Sequence, residues 1–303
     1  MSIVIVHGGV ETSSSLQFRE VLRAAALAGH GALEAGLLDA AEEAVKILEE
    51  SPLFNAGYGS VLNRDGDVEM DASIMDGTTG KFGAVAAIRS VSHPVSVARL
   101  VLEETPHVLL AGQGATDFAL TRGFLPVDSR SPGMVETWQR ARDRAKQGLS
   151  QETSPFTGLP PDSAKPCDTV GCVVFHDGRL AAASSTGGSF MKIPGRVGDT
   201  PIPGAGIFAS PNCATACTGL GEAFIETLTA NYVDSLVKKG LHPQEAAEKA
   251  MARLGERRAG AVGGIIVADH QGRFGAAHNS RSFPVALLVK GGLSESFIPR
   301  KLN

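Results

Sequence analysis

The chain has 303 residues, of which 43% are hydrophobic, so it is long enough to bury a substantial core. Its 28 basic and 32 acidic residues give a net charge of −4 without any block of like charges, which excludes a nucleic-acid or anionic-membrane footprint. No apolar run reaches the roughly 18 residues of a membrane span, and the first residues lack a basic signal-peptide region. We therefore expect a cytosolic protein that binds small molecules.

Regular spacing of apolar residues predicts a mixed chain whose strands dominate the second half. In chain order it predicts a strand at Ile3 to Val6, helices near 15–29 and 31–50, two strands within 67–90, helices around 94–104 and 114–122, a helix around Trp138, strands at 169–176, 179–186, 204–210 and 213–218, helices at about 219–240 and 243–255, and strands at 261–268, 272–277 and 284–289. The later strands are apolar on both faces, which favours the α/β (α+β) class, with two stacked β-sheets flanked by helices.

Two features of composition concern possible sites. Cys167, Cys172, Cys213 and Cys217 form no C-x-x-C pair and have no histidine at ligand spacing, so we expect reduced thiols and no zinc. Glycine reaches 36 residues, clustered in "VHGGV", "FNAGYGS", "SSTGGSF", "PGRVGD", "GAG" and "TGLGE". The clusters predict several loops that converge on one place, the alternative being tight turns in a crowded β protein.

The segment "CDTVGCVVFHDGRLAAASSTGG" has the pattern of a β-hairpin. Asp177-Gly178 lies between two strand patterns, which predicts a two-residue turn that pairs His176 with Arg179. Because facing positions of such a hairpin have a constant sum of residue numbers, Thr169 should lie opposite Thr186. By itself a pair of facing threonines is more often structural than catalytic.

The Pro/Ser/Thr-rich run at about 149–168, predicted to be a mobile linker, gives Thr169 a second interpretation. If the bond between Asp168 and Thr169 is cut, Thr169 carries a hydroxyl nucleophile and an α-amino base on one residue. The reference pKa of an α-amino group, about 7.7 to 8.0, suits a general base at neutral pH. The hydroxyl could make the first cut by an N-to-O acyl shift, with Asp168 as a local base.

The motifs occur in an order that resembles a known family. "DTVG", "STGG", "PGRVGDTPIPGAG" and "TGLGE" follow "HGG" near the start and "SPLFNAGYGSVLNRDGDVEMDASIMDG". From about His7 to about residue 280, the chain resembles the plant-type asparaginases, or isoaspartyl peptidases, of the N-terminal-nucleophile hydrolases. The resemblance implies one domain with a four-layer αββα sandwich, autocleavage into an α subunit (1–168) and a β subunit (169–303), a homodimer of αβ units and no catalytic cofactor.

The resemblance also implies roles for single residues. Thr169 would be the nucleophile and Thr186 its hydroxyl partner, in agreement with the hairpin arithmetic. Arg196 and Asp199 would bind the α-carboxylate and α-amino group of the substrate, since a guanidinium matches a carboxylate and an aspartate matches an ammonium. Without the resemblance, opposite charges at this spacing are more often a surface ion pair.

An oxyanion hole is implied where the strand pattern "CATAC" meets the next helix. The resemblance assigns it to the Thr218 hydroxyl and the Gly219 N–H, with Gly221 as a further substrate contact; a helix N-terminus favours developing negative charge. From the sequence alone, Thr218 could equally be a plain N-cap of that helix.

In the first half, "LEESPLFNAGY" resembles a loop that wraps a structural sodium ion with backbone carbonyls. The implied ligands are the carbonyl oxygens of Leu48, Glu49, Ser51, Phe54, Ala56 and Tyr58. Its role would be to hold Asn55 and the nearby wall of the site. Asp71 and Asp76, five residues apart on a strand, should face opposite sides of the sheet, and we interpret them as structural.

The shared chemistry is hydrolysis of an amide on the side-chain carboxyl of an L-aspartyl unit. "HGG" and "FNAGYGS" favour L-asparaginase with β-aspartyl dipeptidase activity, whereas Asp168 before the nucleophile and "KIPGRVGDTPIPGAG" lean towards glycosylasparaginase, and Asp168 also resembles threonine-aspartase proteases. Two other classes are weaker. "IVIVHGGV" resembles the oxyanion turn of α/β-hydrolases, but the chain has no G-x-S-x-G. A non-catalytic amino-acid-binding protein would keep Arg196 and Asp199 and never cleave itself.

Overall fold

The computed structural model describes residues 1–147 and 169–289, together with the backbone of 295–297. The predicted linker at about 149–168, including Cys167 and Asp168, lies outside the described residues. Within the described ranges, no helix is both long and apolar enough to cross a membrane.

The described helices follow the predicted ones closely. They are α1 (Leu16–Gly31), α2 (Leu37–Glu50), α3 (Pro94–Glu104), α4 (Gly112–Thr121), α5 (Pro132–Lys146), α6 (Gly221–Thr227), α7 (Thr229–Lys238) and α8 (Pro243–Arg257), with short 3₁₀ turns at Ala32–Glu34 and Gly57–Gly59. Proline stands at the first turn of α3, α5 and α8, where its missing N–H costs no hydrogen bond.

The strands form two sheets. They are β1 (Ser2–His7), β2 (Met70–Asp76), β3 (Phe82–Ile88), β4 (Leu109–Ala111), β5 (Val170–His176), β6 (Arg179–Thr186), β7 (Ile207–Ala209), β8 (Cys213–Gly219), β9 (Gly263–Asp269), β10 (Phe274–His278), β11 (Val285–Val289) and β12 (Glu295–Phe297). One sheet has the order β12-β11-β1-β5-β6-β2-β3-β4 and the other β10-β9-β8-β7. All neighbouring strands are antiparallel except β3 and β4.

Three buried clusters show the layers. The first joins α1, α2 and α3 to one face of the large sheet, the second lies between the two sheets, and the third joins α6, α7 and α8 to the outer face of the small sheet. Alternate residues of one strand serve different layers: Val4 and Val6 face the helices, while Ile3 and Ile5 face the other sheet. This arrangement confirms the predicted α/β class and its αββα layering.

Two details differ from the sequence prediction. The helix expected over 219–240 is broken at Leu228, whose φ of 46° and ψ of 53° are left-handed, so α6 and α7 are separate. The Thr227 hydroxyl bonds back to the Ala223 carbonyl at the same point. The edge strands β4 and β12 were not predicted, since three residues are too few to show an alternating pattern.

Replacing Leu228 with glycine should stabilise the fold. Leu228 is 51% exposed, so little apolar burial is lost, while glycine adopts the left-handed conformation without steric cost. We expect the free energy of unfolding to rise by about 0.5 kcal/mol, measured by urea denaturation. Leu27→Gly is the control: Leu27 is 53% exposed within α1, and there glycine should lower stability by about 1 kcal/mol. Equal losses of stability in both variants would contradict the interpretation that the left-handed conformation of Leu228 is strained.

Candidate active site

The β5–β6 hairpin has the predicted register. His176 pairs with Arg179, and the pairing continues to Val170 opposite Ser185. One further residue along the same register places Thr169 opposite Thr186. Both threonines are buried, Thr169 at 7% and Thr186 at 2% exposure, so neither is a surface strand former.

Strand parity places three threonines in the layer between the two sheets. Val173, Ala182 and Ala216 belong to the cluster between the sheets, so the residues an even number of positions away share their face. Those residues include Thr169 on the β5 side, Thr186 on β6 and Thr218 on β8. Gly171 packs closely on Ala216, because a Cβ on Gly171 would lie 2.9 Å from the Ala216 Cβ.

A chain of contacts links Thr218 to Thr169. Thr218 pairs with Gly264, and a Cβ on Gly264 would lie 3.0 Å from the Phe283 ring. That ring packs against His7 with 5.5 Å between centroids, and the His7 side chain lies beside the backbone of Thr169. The three threonines therefore lie at one end of the space between the sheets.

His7 is a site residue that our sequence reasoning used only as part of a motif. Burial lowers its pKa to about 3, an effect that the nearby Thr169 backbone opposes only in part. Its ring nitrogens make no hydrogen bond of good geometry in the described part of the chain. The imidazole is thus neutral at physiological pH. The sequence signal was the "HGG" at the end of the first strand.

Thr186 is tied to the loop that contains Asn55. The Thr186 hydroxyl accepts a hydrogen bond from the Gly188 N–H at 3.0 Å. The Asn55 side-chain amide donates to the Gly188 carbonyl at 2.7 Å, and its oxygen accepts from the Val61 N–H at 3.0 Å. Asn55 therefore fixes the backbone directly after Thr186.

Arg196 is held by a glutamate that the sequence analysis did not single out. Its Nε and Nη2 donate to the two carboxylate oxygens of Glu222, at 3.0 and 2.9 Å. Asp199 lies close by, fully buried. Gly221 separates them: a Cβ there would lie 2.8 Å from Asp199 Oδ1 and 2.9 Å from Arg196 Nη2, so only glycine leaves room.

Two buried oxygens of the site have no hydrogen-bond partner among residues 1–147 and 169–289. Asp199 Oδ2 and Thr218 Oγ1 make no hydrogen bond within the described residues. Burial raises the pKa of Asp199 to about 7, although the Arg196 charge acts in the opposite direction. Since an unpaired buried polar atom is costly, these two atoms are typical of a ligand site rather than of a packed core.

Residues 62–73 hold the loop that carries Arg196 and Asp199. Asp71 accepts hydrogen bonds from the Ala87 N–H at 2.8 Å and the Gly198 N–H at 3.0 Å. Glu69 accepts from the Gly195 N–H with its side chain and from Lys192 Nζ with its carbonyl. Asp71 thus has the structural part predicted for it. Asp76 binds Thr78 and Thr79 in a turn at the other end of β2.

The alternative that Thr218 caps a helix is wrong. The N-cap of α6 is Leu220, which makes no side-chain cap, and α6 has only seven residues. A helix dipole of that length adds little to the electrostatic field at Thr218. Gly219 has a φ of 129°, and a Cβ there would collide with the Val262 carbonyl.

The loop after α2 gathers backbone carbonyls. A Cβ on Gly57 would collide with the Glu49 carbonyl, and one on Gly59 would collide with those of Ser51 and Phe54. The carbonyls of Leu48, Phe54 and Ala56 each accept one backbone hydrogen bond, which leaves a lone pair on each oxygen. Such an oxygen-lined turn fits a hard cation. Within the described ranges, no group of three His, Cys, Asp or Glu residues could hold a metal.

Cys172, Cys213 and Cys217 are buried free thiols, as predicted. Burial raises the pKa of each of them above its ordinary value, so they stay neutral and unreactive. They act as small core residues.

Comparison with known proteins agrees with this geometry. A family model described as asparaginase matches residues 1–298. The chain is 41% identical over 297 residues to a plant-type L-asparaginase of Pyrococcus abyssi, which covers 96% of this chain and 97% of that protein. It is 41% identical over 296 residues to an isoaspartyl peptidase of Salmonella typhimurium, covering 92% of each. An isoaspartyl peptidase/L-asparaginase of Bos taurus is 40% identical over 300 residues, covering 96% of this chain and 94% of the relative.

The fold and site define a hydrolase built as an αββα sandwich. The chain belongs to the asparaginase family. The resemblance drawn from its motifs is thereby confirmed.

Replacing Asp199 with asparagine should make stability less sensitive to pH. Between the ordinary carboxyl pKa of 3.8 and the folded value of about 7, the folded chain holds a proton that the unfolded chain lacks. The contribution of Asp199 to stability therefore falls as pH rises through this window. We expect the Tm of Asp199→Asn relative to wild type to be higher at pH 8 than at pH 5, measured by calorimetry.

Asp128→Asn is the control for this experiment. Asp128 is exposed, and its hydrogen bond from the Arg130 side chain lowers its pKa to about 2. The Tm of Asp128→Asn relative to wild type should not increase between pH 5 and pH 8. A similar trend in both variants would show that the buried carboxyl of Asp199 is not the cause.

Proposed function

We propose that this protein hydrolyses the side-chain amide of L-asparagine and the isopeptide bond of β-aspartyl dipeptides, with the N-terminal threonine of a cleaved chain as nucleophile. The observation that carries the proposal is the meeting of Thr169, Thr186 and Thr218 at one end of the layer between the sheets. The names of the relatives, which are L-asparaginases and isoaspartyl peptidases, support the same substrates.

The proposed cycle is an acyl transfer with two steps. The Thr169 hydroxyl attacks the side-chain carbonyl carbon while the α-amino group of Thr169 takes the hydroxyl proton. The developing oxyanion lies against the Thr218 hydroxyl and the Gly219 N–H. The proton passes to the leaving nitrogen, and ammonia or an amino acid departs from the acyl ester. Water, activated by the same amine, then releases L-aspartate and restores Thr169.

The substrate head group would bind between Arg196 and Asp199. The α-carboxylate would contact the guanidinium, and the α-ammonium would pair with Asp199 Oδ2, the oxygen that has no partner in the described chain. An arriving ammonium favours the ionised carboxylate of Asp199. Substrate binding should therefore weaken as pH falls below about 7, where Asp199 takes up a proton.

Maturation would use the same nucleophile. The Thr169 hydroxyl attacks the Asp168 carbonyl carbon, the peptide nitrogen leaves as the new α-amine, and water hydrolyses the resulting ester. Before this cut, the nitrogen of Thr169 is an amide and cannot act as a base. Cleavage and catalysis are therefore sequential tasks of one hydroxyl, which yields the 1–168 and 169–303 subunits.

Three further properties belong to this proposal. A sodium ion in the loop after α2 would be held by the carbonyls of Leu48, Glu49, Ser51, Phe54, Ala56 and Tyr58 and would stiffen the turn that positions Asn55, without taking part in chemistry. Two αβ units would associate as a homodimer; the family resemblance is what supports this. The enzyme would act on free small molecules in the cytosol.

A substrate panel tests the proposal. Aged wild-type protein should release ammonia from L-asparagine and leucine from β-aspartyl-leucine, and should leave α-aspartyl-leucine intact, because only the β-linkage presents both head-group charges. Thr169→Ala should lower both rates by at least about a thousandfold, since the nucleophile is lost. Thr121→Ala, an exposed change on α4, is the control and should keep full activity.

Two results would contradict the proposal. Cleavage of N4-glycosylated asparagine without hydrolysis of β-aspartyl-leucine would assign glycosylasparaginase activity instead. Binding of asparagine without any hydrolysis, by a chain that stays intact, would make the protein an amino-acid-binding protein.

A further inference from the structure

The guanidinium of Arg196 is only partly available to a ligand. Glu222 occupies its Nε–Nη2 edge with two hydrogen bonds. Nη1 makes no hydrogen bond in the described part of the chain and points towards two glycines. A Cβ on Gly198 would lie 2.9 Å from Nη1, and one on Gly188 would lie 3.4 Å from it. The two glycines place no side chain over the Nη1 end, whereas Glu222 closes the Nε–Nη2 edge to a bidentate carboxylate.

Resting on the proposed function, we propose that Glu222 is a specificity-determining residue that makes the head-group site select zwitterionic α-amino acids over plain carboxylates. It does so in two ways. It fixes which end of Arg196 faces the ligand, and it adds a negative charge that an incoming ammonium, but not a lone carboxylate, can offset.

The charges around the site support this balance. The basic groups around the site are Arg196 and the buried Lys192, and the acidic groups are Asp71, Asp199 and Glu222. A zwitterion adds one charge of each sign, so its ammonium compensates the repulsion that Glu222 and Asp199 exert on its carboxylate. A dicarboxylate without an ammonium receives no such compensation, and Glu222 already occupies two of the five guanidinium N–H donors.

Glu222 also acts on Asp199 through the field between them. Burial is the largest cause of the raised pKa of Asp199, and the carboxylates of Glu222 on α6 and Asp71 on β2 raise it further, while Arg196 lowers it. Cys217 on β8 also faces Asp199, and its thiol is neutral. Removing the Glu222 charge should lower the pKa of Asp199 and leave its other neighbours unchanged.

The test compares the dissociation constants of L-aspartate and succinate by calorimetry with cleaved protein. The two ligands differ only in the α-amino group. Wild type should prefer L-aspartate, and in Glu222→Gln the ratio of the succinate to the L-aspartate constant should fall about tenfold, because the charge is lost while an amide oxygen still accepts from Arg196. Succinate should bind more tightly in this variant than in wild type.

Glu226→Gln is the matched control. Glu226 lies one turn further along α6 and pairs with Arg258 at 3.4 Å on the surface, away from Arg196. This variant should keep the wild-type ratio. Only Glu222→Gln should also move the acid limb of the kcat/KM profile for asparagine to lower pH, a change that loss of packing alone would not produce.

The outcomes separate the two proposals. If asparagine is hydrolysed and the ligand ratio is the same in all three proteins, the role of Glu222 is refuted and the proposed function stands. If the ratio changes as expected but asparagine is not hydrolysed, the role of Glu222 stands and the catalytic proposal falls. If wild type binds neither ligand, the role of Glu222 is refuted, and hydrolysis of asparagine alone decides the proposed function.

Discussion

The register of the β5–β6 hairpin is the constraint on which the rest of the site depends. Asp177-Gly178 closes a turn of two residues, with Asp177 at a φ of 48° and Gly178 at 80°. That turn fixes every facing pair up to the open end, where Thr169 and Thr186 meet. A slip of one residue would turn over the side chains of one of the two strands, so that one threonine would face the helices and the pair would be separated. The chemistry at one end of the hairpin is thus set by a turn about seven pairs away.

The proposed cleavage would remove the covalent link between the halves but not the site. Several hydrogen bonds join residues 62–73 to the loop at 191–200, among them Met191 N–H to the Leu62 carbonyl at 2.8 Å, Arg64 N–H to the Lys192 carbonyl at 3.0 Å and Gly198 N–H to Asp71 at 3.0 Å. The bond between Gly198 and Asp71 is buried, where it is protected from competing water. The proposed head-group site would therefore be assembled from both halves, and its geometry would not rely on the bond before Thr169.

Function and stability oppose each other at Asp199. A carboxyl with a pKa of about 7 is buried next to two other carboxylates, so its ionisation in the free protein costs stability. In the proposed function, recognition of an ammonium would need that same carboxyl in its ionised form. The bound ligand would then supply the missing charge, and shifted pKa values of this kind are common at functional sites.

The sequence allowed most of the fold and the register of the β5–β6 hairpin to be predicted. Apolar runs bounded by turn residues located the long strands, and the Asp-Gly turn predicted the facing threonine pair. The sequence could not reveal the contact of Glu222 with Arg196 or the position of His7 beside Thr169, because both depend on how separate elements pack. The break at Leu228 was missed since leucine favours continuous helix. The sequence left two interpretations of Thr218, and the start of α6 at Gly221 excludes the one in which Thr218 is the N-cap of that helix.

The most direct test of the account is a time course of intact mass and asparaginase activity on the same sample of freshly purified protein. We predict that fragments split between Asp168 and Thr169 accumulate and that activity rises in proportion to the 169–303 fragment, while Thr169→Ala stays whole and inactive. Full asparaginase activity in a chain that remains intact would contradict the account, because the base would then have to be something other than the amine of Thr169.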